Sequence, residues 1–160
     1  VKPHVLALGV AALLAGGGGG RSGEAGFVPP GERDRCPVCG MFVARYPDWI
    51  AEVRFADGGY AVFDGAKDLF KFLAAPGRYL PGRAGSEVRA IWVTDYYAVR
   101  PVDGRAAHFV LGSDVLGPMG RELVPFACRE EAEEFRRDHH GTRVLRFEEV
   151  TADVLAGLDG

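Results

Sequence analysis

The stretch that most constrains the fold runs from Ala51 to Ala74, where the hydrophobic pattern changes period. Ala51, Val53 and Phe55 alternate with Glu52 and Arg54, which is the period of a strand with one buried face. Asp57-Gly58-Gly59 supplies a hairpin turn, and Tyr60 to Phe63 returns as a second strand. From about Ala66 to Ala74 the spacing of Leu69, Phe70, Phe72 and Leu73 becomes helical. Asp64 is the expected N-cap and Pro76-Gly77 the expected stop. The unit is strand, strand, helix.

A fainter copy follows 63 residues later. Leu123-Val124-Pro125-Phe126, then Ala132 and Phe135, repeats the apolar positions of Tyr60-Ala61-Val62-Phe63, then Leu69 and Phe72. Between the copies, Val88 to Ala98 predicts a strand rich in β-branched and aromatic residues, and Ala107 to Leu111 predicts another. Residues 112–120 read as a loop carrying Met119. A charged amphipathic helix is expected over Arg129 to His139 and is ended by Gly141. A strand follows at Val144 to Phe147, then a short helix from Ala152 to Leu158 capped by Thr151. The expected fold is α+β: two small related strand-strand-helix halves packed together, with mostly antiparallel strands, after a flexible N-terminal tether.

Composition sets the organisation. The chain has 160 residues, 48% hydrophobic and 26% charged, which suits one compact soluble domain or two very small ones sharing a core. A formal charge of −3 with no basic run argues against a nucleic-acid partner. Lys2, the apolar run Val5 to Ala15 and the small residues after it predict an export signal over 1–20. That run is shorter than the ~20 apolar residues of a spanning helix. A Gly-, Pro- and charge-rich linker is expected over 21–35. The first half is placed at 36–86, the second at 87–150, and the terminal helix in 151–160.

The chemistry concentrates in Cys36-Pro37-Val38-Cys39-Gly40-Met41. Three of the five sulfur-bearing side chains in the protein lie in these six residues. Soft sulfur donors favour monovalent copper, or zinc where enough thiolates gather. Four readings remain open for the Cys pair. Structural zinc needs four ligands, and only Cys128 and scattered histidines are left to complete it. A redox pair of the thioredoxin type would open a helix, and no helix-forming run follows. A structural disulfide is compatible with export. An open Cu(I) site asks for the fewest further ligands. Met119, in Gly117-Pro118-Met119-Gly120, is flanked by turn residues rather than by the aliphatic neighbours of a gap-filling methionine. Cys36, Cys39, Met41 and Met119 are therefore the candidate metal ligands, with His108 as a further donor. For Met41 the competing role is packing, and for His108 a hydrogen-bonded place in a strand. His139 and His140 sit at a helix C-terminus, where they complement the dipole. No nucleophile–base motif, phosphate-binding glycine loop or HExxH occurs, so an enzymatic reading would rest on the Cys pair as a thiol–disulfide oxidoreductase.

Taken together, several stretches resemble the NosL family, the copper-binding accessory proteins of nitrous oxide reductase maturation. They are Cys36-Pro37-Val38-Cys39-Gly40-Met41 with Ala44-Arg45-Tyr46-Pro47, Val93-Thr94-Asp95, Gly117-Pro118-Met119-Gly120 with Val124-Pro125-Phe126, and Asp138-His139-His140-Gly141 with Val144-Leu145. They cover about residues 34–150 in order. The resemblance implies a periplasmic Cu(I) chaperone, usually lipid-anchored, that supplies the enzyme's copper centres with help from a membrane transporter complex. It places the family's key cysteine at Cys36 and its loop methionine at Met119, with Cys39 at a position filled by Cys or Asp. Residues 17–20, where a lipoprotein signal would place a cysteine, hold none. The first half also resembles YHS-type metal-binding modules, through Cys39-Gly40-Met41 and Tyr60-Ala61-Val62-Phe63. Asp64-Gly65 stands where those modules carry further cysteines.

Overall fold

The computed structural model describes residues 26–159, so the expected export signal and the start of the linker lie outside the described residues. Strands β1 (Ala51–Phe55) and β2 (Tyr60–Phe63) form the expected hairpin, and α1 (Ala66–Ala74) follows. At the expected stop, Pro76-Gly77, a further four-residue helix starts, α2 (Pro76–Tyr79), because Pro76 has the fixed φ of a first helical position. Strand β3 (Val88–Asp95) then pairs antiparallel with β1, and β4 (Arg100–Asp103) with β3. The second half repeats the plan. Strands β5 (His108–Gly117) and β6 (Gly120–Phe126) form a hairpin, α3 (Arg129–Asp138) follows, and β7 (Arg143–Arg146) returns against β5. A short α4 (Ala152–Ala156) closes the chain, with Thr151 Oγ1 accepting from the Val154 N–H.

The sheet orders are β2-β1-β3-β4 and β6-β5-β7. In both halves the strand after the helix pairs with the first strand of the hairpin. The repeat is thus strand-strand-helix-strand, with β4 added to the first copy. The expected boundary at 86/87 falls inside the first sheet, since Ile91 and Val93 pair with Val53 and Ala51.

Three local expectations need correction. Strand β3 stops at Asp95 because that carboxylate turns the chain, accepting from the Ala98 N–H at 2.7 Å and from the Ala127 N–H at 2.6 Å. Residues 112–117 are strand rather than loop: the register shifts between Leu111 and Leu116, and pairing resumes at Leu116 with Arg121. At the end of α3, His140 rather than Gly141 takes the left-handed conformation, with φ of 56°, and the Gly141 N–H caps the Arg136 carbonyl. Of the expected tether, the described part is mostly exposed but is tied to the fold at Phe27 and Val28. Phe27 lies on the core, and the Val28 N–H donates to the buried Glu52.

Alternation along β5 and β6 gives the second sheet two buried faces. Phe109 and Leu123 face α1 and join the larger core, where Phe70 meets Phe109 edge-on at 5.0 Å. Val110, Val124 and Phe126 face α3 and pack with Ala132 and Phe135. Helix α1 therefore packs against both halves, and its N-terminus is one place where they are hydrogen-bonded. Gly65, not Asp64, is the N-cap, and no side chain of its own caps the helix. Glu122 of β6 takes that role instead. One of its oxygens accepts from the Lys67 N–H at 2.5 Å and from the Leu123 N–H at 2.8 Å. A Cβ at residue 65 would overlap the other oxygen, so a larger residue here would have to displace the Glu122 carboxylate.

Burial pushes the Glu122 carboxyl up to about 8, against the pull of those two N–H groups. The folded state then holds a proton that the unfolded chain releases near the ordinary glutamate value. Stability from this group is full below that value and is lost as pH rises toward about 8. The thermal midpoint is expected to fall across that window. Glu122→Gln keeps an acceptor but cannot ionise, and it should flatten the fall. An unchanged slope in the variant would remove Glu122 as the cause.

Candidate metal centre

The Cys36–Met41 segment folds as a closed knuckle. The Cys36 N–H donates to the Met41 carbonyl at 2.9 Å, and the Gly40 N–H donates to the Cys36 carbonyl at 2.8 Å. Gly40 has φ of 82°, a conformation that glycine adopts without strain. Outside the knuckle, Arg35 bridges to Phe42, covers its ring at 3.7 Å and donates to the Gly40 carbonyl. Both thiols turn toward the start of α1.

There the chain supplies two carboxylates, one on each side of the helix N-cap. Asp64 follows β2 directly, and Asp68 lies in the first turn of α1. Asp64 lies just before the extended N-cap Gly65, so the entry of the chain into α1 brings it to the same end of the helix as Asp68. The Cys39 thiol donates to Asp64 Oδ1 at 3.1 Å, and the Cys36 thiol donates to Asp68 Oδ2 at 3.3 Å. One ligand atom from each of the four residues lies within 4.8 Å of the others. Cys36, Asp64 and Asp68 are buried and Cys39 is half-buried. Asp64 Oδ2 is buried with no hydrogen-bond partner among the described residues. An orphaned buried carboxylate oxygen is costly unless a cation joins it, so the cluster fits a positive occupant.

The thiols carry the opposite mark from a redox pair. Burial pushes the Cys36 thiol far up, and the negative charge of Asp68 adds to the effect. Burial and the hydrogen bond to Asp64 push Cys39 up to about 12. Without a cation both thiols stay protonated, and all three cysteines are free. A bound metal reverses this balance, because it binds the thiolate and displaces the proton.

Met119 arrives from the other half. Pro118 and Met119 are the central residues of the β5–β6 turn, closed by the pairing of Gly117 with Gly120. Met119 is 47% exposed. Its carbonyl accepts from the Lys67 ammonium at 2.9 Å. The turn and α1 enclose a groove of about 390 Å³, lined by Lys67, Asp68, Lys71, Leu116 and Met119 among others. Asp68 is thus shared: it accepts from the Cys36 thiol and also lines the groove that Met119 overlooks.

Met41 is partly buried beside the thiols in sequence, and its carbonyl closes the knuckle. His108 lies elsewhere, on β5, beside a cavity of about 240 Å³ lined by Arg105, Arg146 and Glu148. Burial lowers its pKa, and the Arg129 and Arg146 charges lower it further. It does not join the four-residue group. Cys128 is the N-cap residue of α3, away from the knuckle. Sequence reasoning missed Asp64 and Asp68 as candidate donors. Asp64 reads as a helix cap, and the second carboxylate at the same end of the helix, Asp68, was the available signal.

Comparison with known proteins places these features. A profile of the NosL family matches residues 28–155. The chain is 29% identical over 131 residues to the copper-binding lipoprotein NosL of Stutzerimonas stutzeri, covering 78% of this chain and 65% of that protein. It therefore spans slightly less than two thirds of that relative's length. The fold matches the crystal structure of the copper chaperone NosL from Shewanella denitrificans with a TM-score of 0.67 and 25% identity, covering 82% of this chain and 98% of that one.

Proposed function

Since this chain belongs to the NosL family, we propose that it carries Cu(I) as cargo and hands it on during assembly of the copper centres of nitrous oxide reductase. The observation that carries the reading is the junction itself: two thiols and two carboxylates at the start of α1, with Met119 on a groove that one of the carboxylates, Asp68, also lines. The thiolates of Cys36 and Cys39 and the thioether of Met119 are soft donors matched to Cu(I). Asp64 and Asp68 are hard donors. They hold the thiols in place before the ion arrives, and their charge favours the cation.

Loading exchanges thiol protons for copper, next to carboxylates that already accept those protons in hydrogen bonds. Release is favoured by the exposure of Met119, since a partner's donor can reach an ion held at the surface side of the site. The raised thiol pKa values support carriage over thiol–disulfide exchange, which works through a low-pKa thiolate. The lipoprotein named in the comparison supports an exported, membrane-associated place of action; a transporter complex and a periplasmic protein are the partners that the family resemblance implies. No helix among the described residues is long and apolar enough to cross a membrane.

A competition titration tests the reading. The reduced protein should withdraw Cu(I) from a soluble chelator, and Met119→Ala should weaken its hold about tenfold, in line with ~1.4 kcal/mol for one lost donor. Equal competition by wild type and Met119→Ala would remove the thioether from the site.

A further inference from the structure

Lys67 stands between the two carboxylates of the site, one residue before Asp68, and is 3% exposed. Burial of an ammonium group is unusual unless it is paired. Its role is visible in what it reaches. The amine donates at 2.9 Å to the main-chain carbonyl of Met119, on the opposite half of the molecule. The backbone N–H of the same residue donates to Glu122, three residues beyond Met119 on the returning strand. One residue of α1 thus holds the β5–β6 hairpin at two points, the turn and the strand that follows it.

The turn needs such a hold. Strands β5 and β6 pair from His108 to Leu111, lose register, and pair again only at Leu116–Arg121 and Gly117–Gly120. The tip is therefore a short extension beyond an irregular stretch, and Leu116 and Met119 on it are 63% and 47% exposed. A tip of this kind is free to pivot at the irregularity. A thioether on a pivoting tip would meet the ion only part of the time, and its contribution to affinity would shrink by that fraction.

We propose that Lys67 is a positioning residue for the cargo ion: its buried amine clamps the Met119 turn to α1, so that the thioether stands over the groove lined by Asp68. The inference rests on Met119 being a copper ligand, and it adds that a non-ligand sets how fully that ligand is used. The clamp acts through the Met119 carbonyl, so it is independent of the thioether chemistry. It also joins the two halves at the place where the metal would bridge them.

A double-mutant cycle in the Cu(I) competition titration tests this. Lys67→Leu removes the amine and fills most of the buried space without adding a sulfur donor. It should weaken Cu(I) binding several-fold in the wild-type background and cause no further loss when Met119 is already alanine. The ε-methyl resonance of Met119 in the ligand-free protein should sharpen toward that of a freely moving side chain in Lys67→Leu. Equal losses in both backgrounds would mean that Lys67 acts on the thiols through its charge, and would overturn the clamp. Unchanged affinity of Lys67→Leu would overturn it as well. Should Lys67→Leu fail to fold, Lys67→Gln, which shortens the reach but remains polar, carries the same cycle. A Met119→Ala variant that binds as wild type does would instead sink the ligand reading beneath the proposal, and the proposal with it.

Discussion

Cys36→Ser is expected to abolish effective competition for Cu(I), with a loss of 100-fold or more in the chelator titration, about 2.8 kcal/mol. Serine is nearly isosteric and can still donate to Asp68, so the substitution leaves the shape of the knuckle intact. It replaces a soft thiolate with a hard hydroxyl that does not ionise near neutral pH. Cys36 is 1% exposed and hydrogen-bonded to the carboxylate that also lines the groove, so its thiol is the more deeply buried of the two in the group. Cys39 is half-buried, at the outer side of the group, and its replacement by serine should be milder. The fold should hold, since an added buried hydroxyl with a partner costs about 1 kcal/mol or less. Far-ultraviolet dichroism that matches wild type, together with lost competition, is the expected pair of results. Wild-type competition by Cys36→Ser would exclude the knuckle as the copper site.

Phe72→Ala should have the largest effect on stability, about 3–5 kcal/mol from lost burial and the cavity left behind. Phe72 is fully buried, on the face of α1 turned toward the first sheet. Its ring meets Phe63 at 5.2 Å and Phe55 edge-on at 6.3 Å. A small domain has about 5–15 kcal/mol in total, so the loss is a large share. The consequence reaches function because α1 carries Lys67 and Asp68. In urea, the unfolding midpoint of the metal-free variant should drop sharply while the slope stays constant. Cu(I), binding only the folded state, should recover part of the loss. A midpoint within error of wild type would mean that α1 is anchored by other contacts.

Much of this architecture could be read from the sequence because it rests on local patterns. The hairpin at Asp57-Gly58-Gly59, the helix carrying Leu69 and Phe72, and the echo at Leu123 to Phe135 are each set by residues close in the chain. Strand β4 was missed because Arg100-Pro101-Val102-Asp103 has only Val102 partly buried and offers no alternating pattern. The extension of β5 was missed because its register break hides the period. The site was legible in part for the same reason. Cys36, Cys39 and Met119 stand out by residue type and turn context. The carboxylates do not, since Asp64 has the position of an N-cap. Glu122, distant in sequence, takes the capping role, and Asp64 is left to face Cys39. Such an exchange of partners depends on how the halves pack, and neither half carries it alone.

The most direct test of the account is copper K-edge X-ray absorption on the reduced protein loaded with one equivalent of Cu(I). The account predicts a Cu(I) edge and a first shell dominated by sulfur, with one sulfur scatterer fewer in Met119→Ala. A first shell of nitrogen and oxygen, or a sulfur shell unchanged by Met119→Ala, would contradict it.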